Sequence, residues 1–258
     1  MNHKLVVTAL LAATLAACQA NPVSGRKQLV LVSEEQAQAS SAQAYVQTIS
    51  EAQKQGKLST DAALNARVKR ITDRLIAQAG TMYPPSREWK WSVAVIDEPA
   101  LNAWCMPGGK MAIYTGIIEK LKLTDDEIAQ IMGHEIAHAM LGHGREQMSR
   151  AIAMQGGMQI GSIVAGRDLS GLAPVADIAL TLPHSRASES EADRYGIELA
   201  ARAGYDPRTA VRLWEKMGSA SSNGVPPFLS THPSPDNRIQ ALTALVPQMM
   251  PIYEKARK

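Results

Sequence analysis

Gly133-His134-Glu135-Ile136-Ala137-His138 is the stretch on which the reading of this chain turns. On a helix, His134 and His138 stand at i and i+4, on one face. Both imidazoles can then offer a ring nitrogen to one zinc ion. Glu135, beside the first histidine, can reach a zinc-bound water and take its proton. The segment has helical surroundings. Thr124 and Glu127 form a capping-box pattern, and Asp125 and Asp126 favour a helix start. The helix is predicted to run to Gly142 or Gly144, either of which can cap it.

Zinc held by two histidines needs a third protein ligand, with the fourth position left open. His143 lies on a different face of a continuing helix and reads as structural. A metzincin would carry Gly and His where this chain has Leu141 and Gly144, so that class is excluded. A better ligand lies downstream, in Ser185-Arg186-Ala187-Ser188-Glu189-Ser190-Glu191-Ala192-Asp193. Glu189 and Asp193 are i and i+4 and share a helix face. Glu189 can bind the metal. Asp193 can accept a hydrogen bond from the outer ring nitrogen of a zinc-bound histidine and so fix its tautomer. Glu191 points to nearly the opposite face, with no such partner. Alone the segment would read as an acidic helix surface. Beside His134, Glu135 and His138 it reads as the second half of a metal site.

Composition agrees with a folded globular chain. The 258 residues are 45% hydrophobic and 20% charged, with a formal net charge of +3. That excludes a disordered, collagen-like or disulfide-dense chain. Aromatics total 4%, with one Phe, so the core rests on aliphatic residues, Met and Ala and leans helical. The small net charge and the absence of long Lys/Arg runs give no reason to expect nucleic acid.

The chain begins like an address label. Lys4 precedes an apolar run from Leu5 to Ala17, then Cys18, the layout of a signal peptide. Leu15-Ala16-Ala17-Cys18 resembles the lipobox of bacterial lipoproteins. That resemblance implies cleavage after residue 17, lipid on Cys18, and a membrane anchor through it. Gln19 after the cysteine leans toward the outer membrane. The rival is cleavage after Ala20, which would release a soluble protein. With Cys18 lipidated, Cys105 is the only free thiol and reads as a small buried hydrophobe.

Residues 18–32 read as a tether and 33–258 as one metallopeptidase domain, with N-terminal helices over 33–80 and a catalytic core over 85–245. Ser33 with Gln36 caps an Ala/Gln-rich helix to about Lys54, and residues 60–79 carry a helical apolar stripe. Trp89 to Val95, Asn102 to Met106 and Lys110 to Tyr114 read as strands, the last two joined at Pro107-Gly108-Gly109. Residues 151–166 carry no charge and read as a buried or partner-facing helix. Further helices are expected near 186–203, 207–219 and 234–246, with Asp206-Pro207 and Ser234-Pro235 as starts. The expected fold is α+β and predominantly helical, with a small three-stranded sheet beside the active-site helix.

The ordered set of motifs resembles the HtpX and CAAX prenyl protease family of zinc metallopeptidases, which are gluzincins. The resembling branch includes bacterial periplasmic lipoproteases and a mitochondrial inner-membrane protease. It covers roughly residues 65–245 and takes in Asn102-Ala103-Trp104, Pro107-Gly108-Gly109, Tyr114-Thr115-Gly116, the two motifs above, and Thr231-His232-Pro233 with Arg238. The resemblance implies that His134, His138 and Glu189 bind one zinc ion and that Glu135 is the general base. His184 stands where close relatives of this family carry an aromatic residue, and it is given no role.

His232 can be read in two ways besides simply preceding a helix. It can donate a hydrogen bond to an oxyanion, or it can occupy the open zinc position and hold the enzyme closed. The expected activity is zinc-dependent peptide-bond hydrolysis at the periplasmic face of the bacterial envelope, in protein quality control. The substrate would be misfolded or damaged polypeptide in extended form, paired with the strand at Asn102 to Met106. Envelope proteins are possible partners. The alternative is a zinc-containing peptide-binding chaperone or assembly factor. An aminopeptidase would place its third ligand much nearer to His138.

Overall fold

Thr124 starts the central helix as its sequence predicts. Its hydroxyl accepts from the Glu127 amide, and the Glu127 carboxylate accepts from the Thr124 amide. The computed structural model describes residues 18–154, 182–220, 227–233 and 237–257. The expected signal segment 1–17, most of the uncharged stretch 151–166, and the Ser234-Pro235 start lie outside them.

In chain order the elements are β1 (Cys18–Ala20), β2 (Lys27–Leu29), α1 (Glu34–Lys54), α2 (Ala62–Met82), a short 3-10 turn (Pro84–Glu88) and β3 (Ser92–Ile96). Then come β4 (Ala103–Met106), β5 (Lys110–Tyr114), α3 (Thr115–Lys120), α4 (Asp125–Met140) and α5 (His143–Met154). The last are α6 (Arg186–Arg202), α7 (Arg208–Ala220), α8 (Pro227–Thr231) and α9 (Arg238–Ala256). The fold is α+β and mainly helical, with a three-stranded sheet of order β3-β5-β4. Strand β5 pairs parallel to β3 and antiparallel to β4. The β4–β5 turn needs Gly108 and Gly109, at φ 79° and 76°, where a side chain would be strained.

The core lies between the sheet, α2, α4 and α6, and is aliphatic as the composition demands: Val68, Ile71, Leu75, Met111, Ile113, Ile128 and Met132 are each fully buried. Helix α4 is buried along nearly its whole length. It sits directly against α6, and two glycines make the approach possible. A Cβ on Gly196 would lie 2.8 Å from the His134 Cα, and one on Gly133 would lie 2.9 Å from the Gly196 carbonyl oxygen. Both distances are below contact, so only glycine fits.

The structure differs from the sequence reading over residues 18–32. They do not form a tether. β1 and β2 make an antiparallel hairpin docked on the C-terminal end of α4. Asn21 Nδ2 and Gln28 Nε2 each donate to the Leu141 carbonyl at 2.7 Å. Carbonyls left free at a helix end need such donors, and here the N-terminal segment supplies them. Leu31 and Val32 donate to Ser149 Oγ in α5. No helix among the described residues is long and apolar enough to cross a membrane.

Candidate metal centre

The geometry of the site begins with the phase of α4. His134 and His138 share one face, as their spacing requires, and their Nε2 atoms lie 3.0 Å apart. Helix α6, capped by the Ser185 side chain, presents Glu189 and Asp193 to the same point. Glu189 Oε2 is 3.4 Å from His134 Nε2, and its Oε1 is 3.3 Å from His138 Nε2. His232 follows α8 and brings Nδ1 to 3.1 Å from Glu189 Oε1 and 3.3 Å from His134 Nε2. All four residues are buried.

These separations fit zinc. Bonds of about 2.0–2.1 Å in a tetrahedron place ligand atoms about 3.3–3.4 Å apart. The chemistry of the donors fits as well. Burial and the neighbouring His184 push His138 far below its usual pKa, so its ring is neutral and can offer a lone pair. Burial opposes the charge on Glu189, but the surrounding histidines outweigh it and keep the carboxyl ionised far below its usual range. Burial also opposes protonation of His134, yet hydrogen bonds to Asp193 and Glu189 raise it to about 9. The site draws positive charge.

Asp193 Oδ1 lies 3.1 Å from His134 Nδ1, leaving Nε2 for the metal point. This is the carboxylate–histidine arrangement that orients a ligand ring. Glu135 stands beside the cluster, 2% exposed, with Oε1 lacking any hydrogen-bond partner. Burial raises its carboxyl above the usual range. His232 Nε2 lies 3.5 Å from that orphan oxygen. The edge strand β4 lines the same cleft, with Asn102, Gln147, His184 and Thr231. Cys105 also lines it, and burial and Glu135 push its thiol up, so it stays protonated.

The structure brings together every residue singled out for the metal, and sets beside them four to which the sequence reading gave no part in the metal site: Arg238, His143, Glu191 and His184. Arg238 is 2% exposed and donates to Glu189 Oε2 at 3.1 Å and Asp193 Oδ1 at 2.5 Å. Its guanidinium stacks 3.4 Å from the Trp214 ring centroid. Two carboxylates at one buried point need such a cation, and the forked guanidinium reaches both. His143, read as structural, lies against the cluster: its Nδ1 is 2.9 Å from the Nδ1 of His138. Glu191, read as facing away from the zinc-bound histidines, binds His143 Nε2 at 2.9 Å and Arg26 Nε at 2.7 Å. His184 packs on the His138 ring, with centroids 4.0 Å apart.

Imidazoles and a buried carboxylate converging beside a glutamate whose Oε1 has no hydrogen-bond partner define a zinc metallopeptidase centre. Residues 62–246 match the model described as "Peptidase family M48", and the chain belongs to that family. It is 32% identical over 251 residues to a relative from Bos taurus named "Metalloendopeptidase OMA1, mitochondrial", covering 92% of this chain and 47% of the relative. A protein of Vibrio cholerae, "Putative beta-barrel assembly-enhancing protease", is 30% identical, with 69% of this chain and 38% of that protein covered. "Metalloprotease YcaL" of Escherichia coli is 28% identical, over 54% of this chain and 56% of that protein. The chain spans about half the length of the first of these relatives.

Proposed function

We propose that this protein is a zinc-dependent endopeptidase of the bacterial cell envelope that hydrolyses misfolded or damaged polypeptides. The observation that carries the reading is the cluster of His134, His138 and Glu189 at zinc-ligand spacing beside Glu135, whose Oε1 has no hydrogen-bond partner. In this reading His134, His138 and Glu189 hold the metal. When bound, zinc supplies a Lewis acid that polarises a carbonyl and acidifies water. Glu135 takes the proton of the attacking water and returns it to the leaving amine, a role favoured by a carboxyl that burial raises above its usual range. Asp193 fixes the His134 tautomer, and Arg238 balances Glu189 and Asp193.

Strand β4 has an edge position and lines the cleft, which suits an extended polypeptide adding itself to the sheet. Main-chain pairing selects extended shape over sequence, the selectivity that quality control needs. His232 supplies a fourth donor and closes the cluster, so substrate entry requires it to swing away. That observation also favours the second reading, a peptide-binding chaperone or assembly factor whose proteolysis is gated. For location, the reading rests on lipid at Cys18, which is exposed at the start of β1, and on the lipobox-like residues before it. The Vibrio relative's name, which refers to β-barrel assembly, agrees with the envelope.

The test is cleavage of an unfolded protein by the chain from Gln19 onward, loaded with zinc. Chelation should abolish cleavage. Glu135→Gln should lower the rate about 10²- to 10⁴-fold with zinc still bound, the usual worth of general acid–base catalysis. Equal cleavage by wild type and Glu135→Gln would reject the assignment of the base.

A further inference from the structure

A line of hydrogen bonds leads from the N-terminal hairpin to a metal ligand. Arg26, in the turn between β1 and β2, donates through Nε to Glu191 Oε2 at 2.7 Å. Glu191 Oε2 is 2.9 Å from His143 Nε2, and His143 Nδ1 is 2.9 Å from His138 Nδ1. The proton positions along this line are forced. With His138 Nε2 facing the metal point, its Nδ1 carries the hydrogen and donates to the lone pair of His143 Nδ1. A neutral His143 ring then carries its hydrogen on Nε2 and donates to the Glu191 carboxylate. Glu191 can only accept, and Arg26 can only donate. Each link has one permitted direction, so each fixes the next.

Arg26 is itself held from the far side. Its Nη2 meets Glu146 Oε2 at 2.7 Å, and Glu146 is braced by Arg150 at 2.6 Å. His143 is 1% exposed, so it has no water to turn toward. The two ligand histidines thus have different outer partners. His134 has a carboxylate directly, Asp193, whereas His138 has a histidine that passes the role outward to Glu191. An outer partner of this kind fixes ring orientation and raises ligand basicity.

We propose that His143, Glu191 and Arg26 are positioning residues for the zinc ligand His138, so that the N-terminal hairpin is a working part of the metal centre. The inference rests on the zinc assignment above.

The test is the zinc dissociation constant, measured by competition with a chromophoric chelator, for the full wild-type chain, His143→Phe, Glu191→Gln and Arg26→Gln. His143→Phe keeps ring volume and removes both hydrogen bonds, so its dissociation constant should rise about 10- to 100-fold, the range for outer partners of metal ligands. Glu191→Gln keeps the shape but loses the anion, and should show a smaller rise. Arg26→Gln should be smaller again. The visible spectrum of the cobalt-substituted protein should shift in the same order, a signature that a loss of general stability would not produce. Melting of the metal-free variants identifies any that fail to fold. Glu191 lies partly exposed, so Glu191→Gln keeps the test open if His143→Phe unfolds. Zinc affinity and cobalt spectrum unchanged in folded Glu191→Gln and Arg26→Gln would overturn the proposal. Failure of the wild type to bind zinc would instead reject the zinc assignment itself.

Discussion

His232 Nδ1 stands 3.1 Å from Glu189 Oε1, at least as close as His138 Nε2, which is 3.3 Å from the same oxygen. His232 therefore stands in the place of a fourth donor. A fourth protein ligand leaves no open position for substrate.

This placement predicts a gain of function. His232→Ala leaves three donors, so zinc should be retained. If the closed arrangement is favoured by about 1.4 kcal/mol, removing the fourth donor should raise the cleavage rate of unfolded protein about tenfold. The check is initial rate against zinc content. A fall in rate at full zinc occupancy would show that His232 serves the transition state and not the closed form.

Much of the site was legible because it depends on helical phase. His134 with His138, and Glu189 with Asp193, are both i,i+4 pairs, and a helix puts such pairs on one face whatever surrounds them. The capping boxes at Ser33 and Thr124 were legible for the same local reason. His143 was not. Five residues on, a continuous helix would carry it about 140° away from His138. The helix instead stops at Met140, and Gly142 at φ 63° turns the chain so that α5 starts at His143 and returns its ring to His138. Glu191 was read only as facing away from the zinc-bound histidines; its partner Arg26 was not legible, because it lies in a segment read as a tether. Gly133 and Gly196 carry no local signal of their role. Their use in helix approach appears only when the two helices are together.

Arg238 is predicted to matter most when zinc is absent. Glu189 and Asp193 are both buried, and Arg238 is a cation that reaches both of them. Removing one partner of a buried ionic group costs about 3–5 kcal/mol. Arg238→Met should lose about that much in chemical denaturation of metal-free protein. Saturating zinc supplies positive charge at the same point and should shrink the loss. Arg238→Lys should rescue only in part, because an ammonium cannot fork to both carboxylates. A metal-free loss below about 1 kcal/mol would place Arg238 outside the stabilising network.

The hairpin should make the protein sensitive to acid. Burial opposes ionisation of Glu191, but His143 and Arg26 outweigh it and hold its pKa at about 2. Glu146 is likewise lowered, against burial, by Arg26 and Arg150. A carboxyl depressed in the folded state stabilises above its unfolded value and loses that stabilisation as pH falls through the folded one. The contribution is complete above about pH 4.5 and declines toward about pH 2. Arg26→Gln should lift both carboxyls and flatten the acid slope of the melting temperature over that window, in metal-free protein. Parallel slopes in wild type and variant would show that the two carboxyls titrate independently of Arg26.

Two helix glycines should respond in opposite directions to the same substitution. A Cβ at Gly196 would sit 2.8 Å from both the Cα and the N of His134, backbone that cannot yield without moving the metal face of α4. Gly196→Ala should therefore cost about 1–3 kcal/mol, the range for overpacking. It should also weaken zinc binding, because α4 and α6 carry the ligands between them. Gly218, in α7, has nothing within 4 Å of its would-be Cβ and no positive φ. Gly218→Ala should stabilise by about 0.4–1 kcal/mol, since alanine loses less backbone freedom on folding. Thermal melts and chelator competition on the two variants decide the matter. A Gly196→Ala protein with wild-type melting and zinc affinity would mean that the close approach of α4 and α6 is not what sets the ligand spacing.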